Sequence, residues 1–219
     1  VGADISTTRS LPSGSIAAKV QYTNLTPYFA TVDQDLQWDK APTDLNINMA
    51  YRLKTSQTGL LKLYTNYSSS SLAIYESSIE DPEVSTPVNI KNRFSYFNLS
   101  YREILADKWG IRAGASATTS KDHFAVGEIG NTESSLLGFH GKAVADYQHS
   151  DRLAIIFGGE VFQRKLEQKA ALPEVTNNSV HERIASSFAE AELFVSEDLA
   201  IKAGVRGEYT SNVSGLKFD

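Results

Sequence analysis

The stretch DLNINMAYRLK alternates with a period of two residues. Leu45, Ile47, Met49, Tyr51 and Leu53 fall on one side, and Asn46, Asn48, Arg52 and Lys54 on the other. Successive side chains of an extended strand point to opposite faces, so this spacing specifies a β-strand with one apolar and one polar face. The format recurs. In KWGIRAGASATT, Trp109, Ile111, Ala113, Ala115 and Ala117 oppose Arg112, Ser116 and Thr118. In LLGFHGKAVADYQ, Leu137, Phe139, Ala143, Ala145 and Tyr147 oppose His140, Lys142, Asp146 and Gln148. Near the end, Leu199, Ile201, Ala203, Val205 and Tyr209 oppose Lys202, Arg206 and Glu208. Ten segments carry strand character, several of them roughly 11–17 residues long against about 5–6 in ordinary soluble sheets.

Some residues break the alternation. Phe94 and Tyr96 fall on the polar side of NRFSYFNLSYRE, and Phe188 and Phe194 join the glutamates of IASSFAEAELFV. A bulge or a rim aromatic accounts for such positions. In DRLAIIFGGEVFQRK, Leu153, Ile155, Phe157 and Val161 share one face and Gly158, Glu160 and Arg164 the other, with Ile156 and Phe162 out of place.

The connections alternate as well. Short ones at LPSG, SQTG, ADK, HSD and SED take turns with longer ones at Leu25–Thr43, Glu76–Pro87, Lys121–Asn131 and Glu167–His181. An up-and-down antiparallel sheet gives this order when one end has tight turns and the other has loops. Long strands, loop asymmetry and a polar face together form the pattern of a transmembrane β-barrel with a polar interior. A soluble barrel holding an apolar ligand would turn the faces the other way. No run reaches the roughly 18 apolar residues of a membrane helix, which says nothing against strands that cross by alternation. The chain starts in mid-strand, with Val1, Ala3 and Ile5 alternating, and ends in SNVSGLKFD, which reads as the opening of a further loop. The expectation is an all-β fold: a transmembrane antiparallel up-and-down β-barrel, with residues 1–219 supplying about ten strands of a larger barrel. A closed ten-stranded barrel satisfies the even strand count equally.

SIAAKVQYTNLTPYFATVDQDLQWDKAP (Ser15–Pro42) and TGLLKLYTNYSSSSLAIY (Thr58–Tyr75) resemble the early barrel of TonB-dependent outer-membrane receptors. FAEAELFVSEDLAIKAGVRGEYTS (Phe188–Ser211) is similar to that family's mid-barrel pair, a strand, a tight turn and an aGxRxE-type strand. The likeness covers most of the chain. It implies a place in the bacterial outer membrane among its lipids, a plug domain inside the barrel, and a TonB-type energy-transducing partner. The implied function is active import of a scarce substrate such as an iron chelate, haem, cobalamin, a glycan or a peptide. No plug or TonB-box segment occurs in these 219 residues, and ten strands are fewer than half of the roughly 22 in such transporters.

Alternation assigns Lys19, Arg52, Lys62, Arg102, Arg112, Lys142, Glu160, Arg164, Glu190, Glu192, Lys202, Arg206 and Glu208 to the interior. There they solvate a wet lumen, contact a plug or line a substrate path. Tyr28, Phe29, Trp38, His123 and Phe124 fall in the long connections, where aromatics can stack on a ligand or belong to the interfacial girdle. Other chemistry is sparse. There is no cysteine for thiolate sites, and a net charge of -5 disfavours nucleic acid as a partner. HERIA at His181 lacks the second histidine of a zinc helix, and GFHGKA lacks the spacing of a phosphate loop. No catalytic residue, metal ligand or cofactor site is assigned. The enzymatic alternative is a self-contained ten-stranded barrel such as an omptin-like protease, with Asp122, His123 and His181 as the residues it would use.

Overall fold

The computed structural model describes residues 1–34, 37–77, 85–106, 108–127, 130–172 and 174–214. They form one antiparallel sheet in which every strand pairs with its sequence neighbours, β1 to β10 in order. The strands are β1 (Gly2–Leu11), β2 (Gly14–Asn24), β3 (Gln37–Lys54), β4 (Leu60–Ser77), β5 (Ser85–Leu105), β6 (Trp109–Val126), β7 (Gly130–Ser150), β8 (Leu153–Leu172), β9 (Glu174–Phe194) and β10 (Ala200–Ser214). A short helix, α1 (Thr26–Phe29), interrupts the connection between β2 and β3. The up-and-down order and the strand count agree with the alternation. The sheet is open: among the described residues β1 pairs only with β2, and β10 only with β9.

Residues paired across antiparallel strands share a face. One row runs through Ile16, Tyr51, Leu63, Leu99, Ala115, Gly141, Val161, Ala185 and Tyr209. The next row, on the opposite face, runs through Ser15, Arg52, Lys62, Ser100, Gly114, Lys142, Glu160, Ser186 and Glu208. A slip of one residue in any strand would exchange the two, so nine strands agree on a single register.

The connections differ from the sequence expectation at one end of the sheet. Lys121–Asn131 and Glu167–His181 are not long loops: β6 continues to Val126 and β8 to Leu172, and the strands turn back within a few residues. Gly127 supports the first of these turns with φ of 49°, a left-handed conformation that costs glycine little. The end asymmetry is carried by strand length instead, and the hairpins project as paired ribbon. Between Glu76 and Pro87, positions 78–84 lie outside the described residues.

No bulge explains the misplaced aromatics. Register shifts occur between Trp38 and Thr43 in β3 and between Gln148 and Ser150 in β7, while β5 and β9 pair without interruption. Phe94, Tyr96, Phe162 and Phe188 therefore lie on the polar face itself.

The sheet has almost no core. Among the described residues the buried apolar side chains are Ala41, Ala73 and Val88. By contrast Leu137 is 61%, Val161 50% and Phe157 42% exposed. Along β9 the apolar-face residues Ala185, Ala189, Ala191 and Leu193 are exposed, whereas Glu182, Ile184, Phe188 and Glu190 on the other face are half-buried and Ser186 is buried. The polar face is thus the sheltered one, as on the inside of a curved sheet.

Candidate functional site

The sheltered face carries every residue that alternation placed in the interior. The alternating registry puts Arg52, Lys142, Glu160 and Glu208 in one row, with Arg102, Arg112 and Arg206 in the next row of the same face. Arg164, Glu190 and Glu192 lie on that face at other levels.

Glu160 is the centre of the largest cluster. Its Oε1 accepts from Arg206 Nη2 at 2.6 Å and from Ser186 Oγ at 3.4 Å. Its Oε2 lies 3.6 Å from both Lys142 Nζ and His140 Nε2. Arg206 also reaches Glu208 at 3.3 Å, and Lys142 sits 5.8 Å above the Phe188 ring. Gly158 makes room for that ring, since a Cβ there would stand 2.9 Å from Phe188 Cζ and 2.5 Å from the Ala143 carbonyl oxygen. Phe162 packs edge-on against His140. Two of the aromatics that broke the alternation, Phe162 and Phe188, thus pack onto the side chains around Glu160.

Three further pairs extend the network. Arg112 donates twice to Asp146, at 3.1 and 2.7 Å; Arg164 meets Glu182 at 2.8 Å; Lys202 meets Glu190 at 2.7 Å. Glu192 pairs with Lys202 in register. Asp146 and Glu182 were not among the candidate interior charges, although the same period of two assigns both.

The first strands use neutral groups on this face. Tyr64 and Asn66 both donate to Asn48, at 2.8 and 2.9 Å, and Asn98 donates to the Tyr96 hydroxyl at 3.1 Å. Between the neutral and ionic regions lies a hollow of about 360 Å³ lined by Leu60, Lys62, Arg102, Arg112, Lys142 and Val144. Arg52 is paired directly with Lys62, and Arg102 with Arg112. Directly opposed like charges repel. Among the described residues Arg52, Lys62 and Arg102 have no carboxylate partner.

The loop candidates divide. Tyr28, Phe29 and Trp38 come together: α1 sets Phe29 with its ring centroid 5.0 Å from Trp38 and 5.8 Å from Tyr28. Trp38 lies at the start of β3 opposite Ile74, which pairs with Val88. His123 and Phe124 are not in a loop but inside β6, and they point to opposite faces. Phe124 shares the sheltered face with Ile90 and Leu72; His123 faces outward, 3.6 Å from Glu133. Asp122 is on the sheltered face and accepts from Asn92, so Asp122 and His123 are split by the sheet. His181 lies in β9 opposite Lys165, on the outward face.

No protein-family model matches the sequence, and no match is found among the curated proteins.

Proposed function

We propose that the sheet is part of the wall of an outer-membrane β-barrel, and that the protein is an uptake receptor of the TonB-dependent kind it resembles in sequence. The observation that carries the membrane reading is a continuous apolar belt on the exposed face. It spans 45–53 on β3, 109–117 on β6, 153–161 on β8, 185–193 on β9 and 201–209 on β10. Each span is nine residues long, within the roughly 9–11 of a tilted transmembrane strand.

The belt does not follow the rows of paired residues. From β3 to β9 both borders slide by six residues over six strand steps. With about 3.3 Å per residue and about 4.8 Å between strands, that slope corresponds to strands tilted about 35° from the belt's normal. Barrel strands tilt by roughly 35–45°. A flat apolar layer is the environment that a belt of this slope fits. In a bilayer the open edges at β1 and β10 require partner strands, because an unpaired backbone edge is costly in lipid.

The interior supports passage rather than a packed core. Arg52, Lys62 and Arg102 call for an anionic counterpart inside the wall, which a plug domain or a bound substrate would supply. In the receptor reading, substrate is captured at the outer mouth and released inward by an energised partner, with no bond made or broken. Tyr28, Phe29 and Trp38 are the aromatic group placed to meet it.

The test is uptake of labelled iron chelate, haem, cobalamin, glycan and peptide by cells with and without the protein. The receptor reading expects one substrate class to lose accumulation on deletion and on collapse of the inner-membrane potential. Unchanged uptake of all five would overturn it.

A further inference from the structure

The outward face changes character just past the belt on the long-hairpin side. Above Phe97 on β5 come Arg93 and Lys91; above Ala117 on β6 comes Lys121; above Val161 on β8 come Lys165 and Lys169; above Ala185 on β9 comes Arg183. The ladders bring these side chains to one face: Arg93 pairs with Lys121, and Lys91 with His123. The acidic residues among them are Glu133 and Glu167. Six cations against two carboxylates is a local excess of about four positive charges, in a chain whose net charge is -5. Lys165 is held by Glu167 at 2.6 Å, while Lys91, Arg93, Lys121, Lys169 and Arg183 have no ion-pair partner among the described residues. Lys91, Arg93, Lys121 and Lys169 line a recess of about 450 Å³ with His123 and Glu133.

We infer that this basic patch binds the phosphate groups of anionic lipids in the leaflet on the long-hairpin side. The inference rests on the membrane reading above. The patch begins two to four residues beyond the last apolar side chain of each strand, which is the depth of the headgroup layer. Lysine and arginine are strongly paired with phosphate oxygens, and a cation near an anionic leaflet contributes to that attraction additively. Lipid is favoured over a soluble polyanion because a second feature lies below the patch on the same face. A depression of about 700 Å³ is formed where Gly141, Ala143, Gly159, Ala185, Ser187 and Gly207 leave the belt without bulky side chains. It offers room for an acyl chain beneath a headgroup held by Lys165 and Arg183.

The experiment uses the full chain reconstituted in phosphatidylcholine vesicles, probed by spin resonance with trace spin-labelled phosphatidylglycerol or phosphatidylcholine. A motionally restricted component with either lipid reports insertion. The expected result is a preference of about fivefold or more for phosphatidylglycerol in that component, on the scale of one cation near an anionic surface. The K91Q/R93Q/K121Q/K165Q/K169Q/R183Q variant is expected to keep the restricted component and lose most of the preference. Equal restriction of both lipids by the unaltered protein would overturn this inference and leave the membrane reading standing. Absence of any restricted component would overturn both. A preference kept by the variant would remove the patch from the site, and a preference abolished by inorganic phosphate would reassign it to free phosphate.

Discussion

Two levels of the same strands use their faces in opposite ways. In the belt, Phe157, Val161 and Leu137 point outward, and Glu160, Arg206 and Lys142 point to the sheltered side. Toward the hairpin tips the arrangement inverts. Lys91, Arg93 and Lys121 point outward there, while Leu72, Ile90 and Phe124 form one row on the opposite face and Ile74, Val88 and Val126 another, with Val88 buried. Leu136, Leu166 and Val180 do the same on β7–β9. The register is unbroken between the levels on these strands, so the backbone does not cause the change. On the membrane reading proposed above, the medium outside does: apolar side chains face out where the surroundings are lipid and face in where the surroundings are water.

The largest effect expected from breaking this contrast is Phe157→Arg, at the middle of the β8 belt. A charge on the lipid face near the bilayer midplane costs about 2–4 kcal/mol, so the yield of folded protein in vesicles should fall sharply. The matched change Ser135→Arg, on the same face above the belt, should cost roughly 0–1 kcal/mol and leave assembly intact. Urea refolding into vesicles compares the two.

At the inverted level, Val88→Asp places a carboxylate at a buried position between the half-buried Ile74 and Val126, at a cost of about 1–3 kcal/mol. Hydrogen exchange should accelerate in Ser85–Ile90 and at Phe124–Val126, with belt protection unchanged. Loss of belt protection would join two regions described here as separate.

A smaller effect is expected from Glu160→Gln, which leaves Arg206 and Lys142 without their shared carboxylate. Hydrogen bonds to charged groups contribute about 1.5–3 kcal/mol when sheltered and less as exposure rises, so about 1 kcal/mol is expected from refolding midpoints. An equal loss from Asn48→Asp in the neutral region would show that the interior charges are interchangeable.

The smallest effect concerns Glu167, above the belt. The hydrogen bond from Lys165 holds its carboxyl below the usual range, helped by the charges of Lys165, Lys169 and His181. The pair's contribution is present above the unfolded carboxyl pKa and is lost as pH falls through the lower folded value. Carbon-detected titration should show Glu167 protonating at lower pH than an unpaired glutamate, and Lys165→Gln should restore the ordinary range.

Much of the fold is legible in the residues because a period of two is unambiguous when one side is apolar. Leu45 to Leu53 needed no tertiary information, and the place of Arg52, Glu160 and Arg206 on one polar face follows from the same period. The extent of β6 and β8 was harder to read. Lys121, His123, Glu167 and Lys169 face outward while Phe124 and Val126 face the other way, so a reader expecting apolar groups outward sees a loop. Phe94 looked like an error in the pattern, and Phe124 like a loop residue, for the same reason. The pairing of Arg206 with Glu160 was beyond reach, since it joins strands β8 and β10 that touch only through β9.

The most direct test is a nitroxide scan along β8 from Leu153 to Leu172 in reconstituted vesicles, reading collision with oxygen, which partitions into lipid, against a water-soluble nickel chelate. Odd-numbered positions 153–161 should favour oxygen, even-numbered positions there should favour the chelate or neither, and 165, 167 and 169 should switch to the chelate. Chelate contact at odd positions throughout 153–161 would contradict the membrane belt and the function built on it.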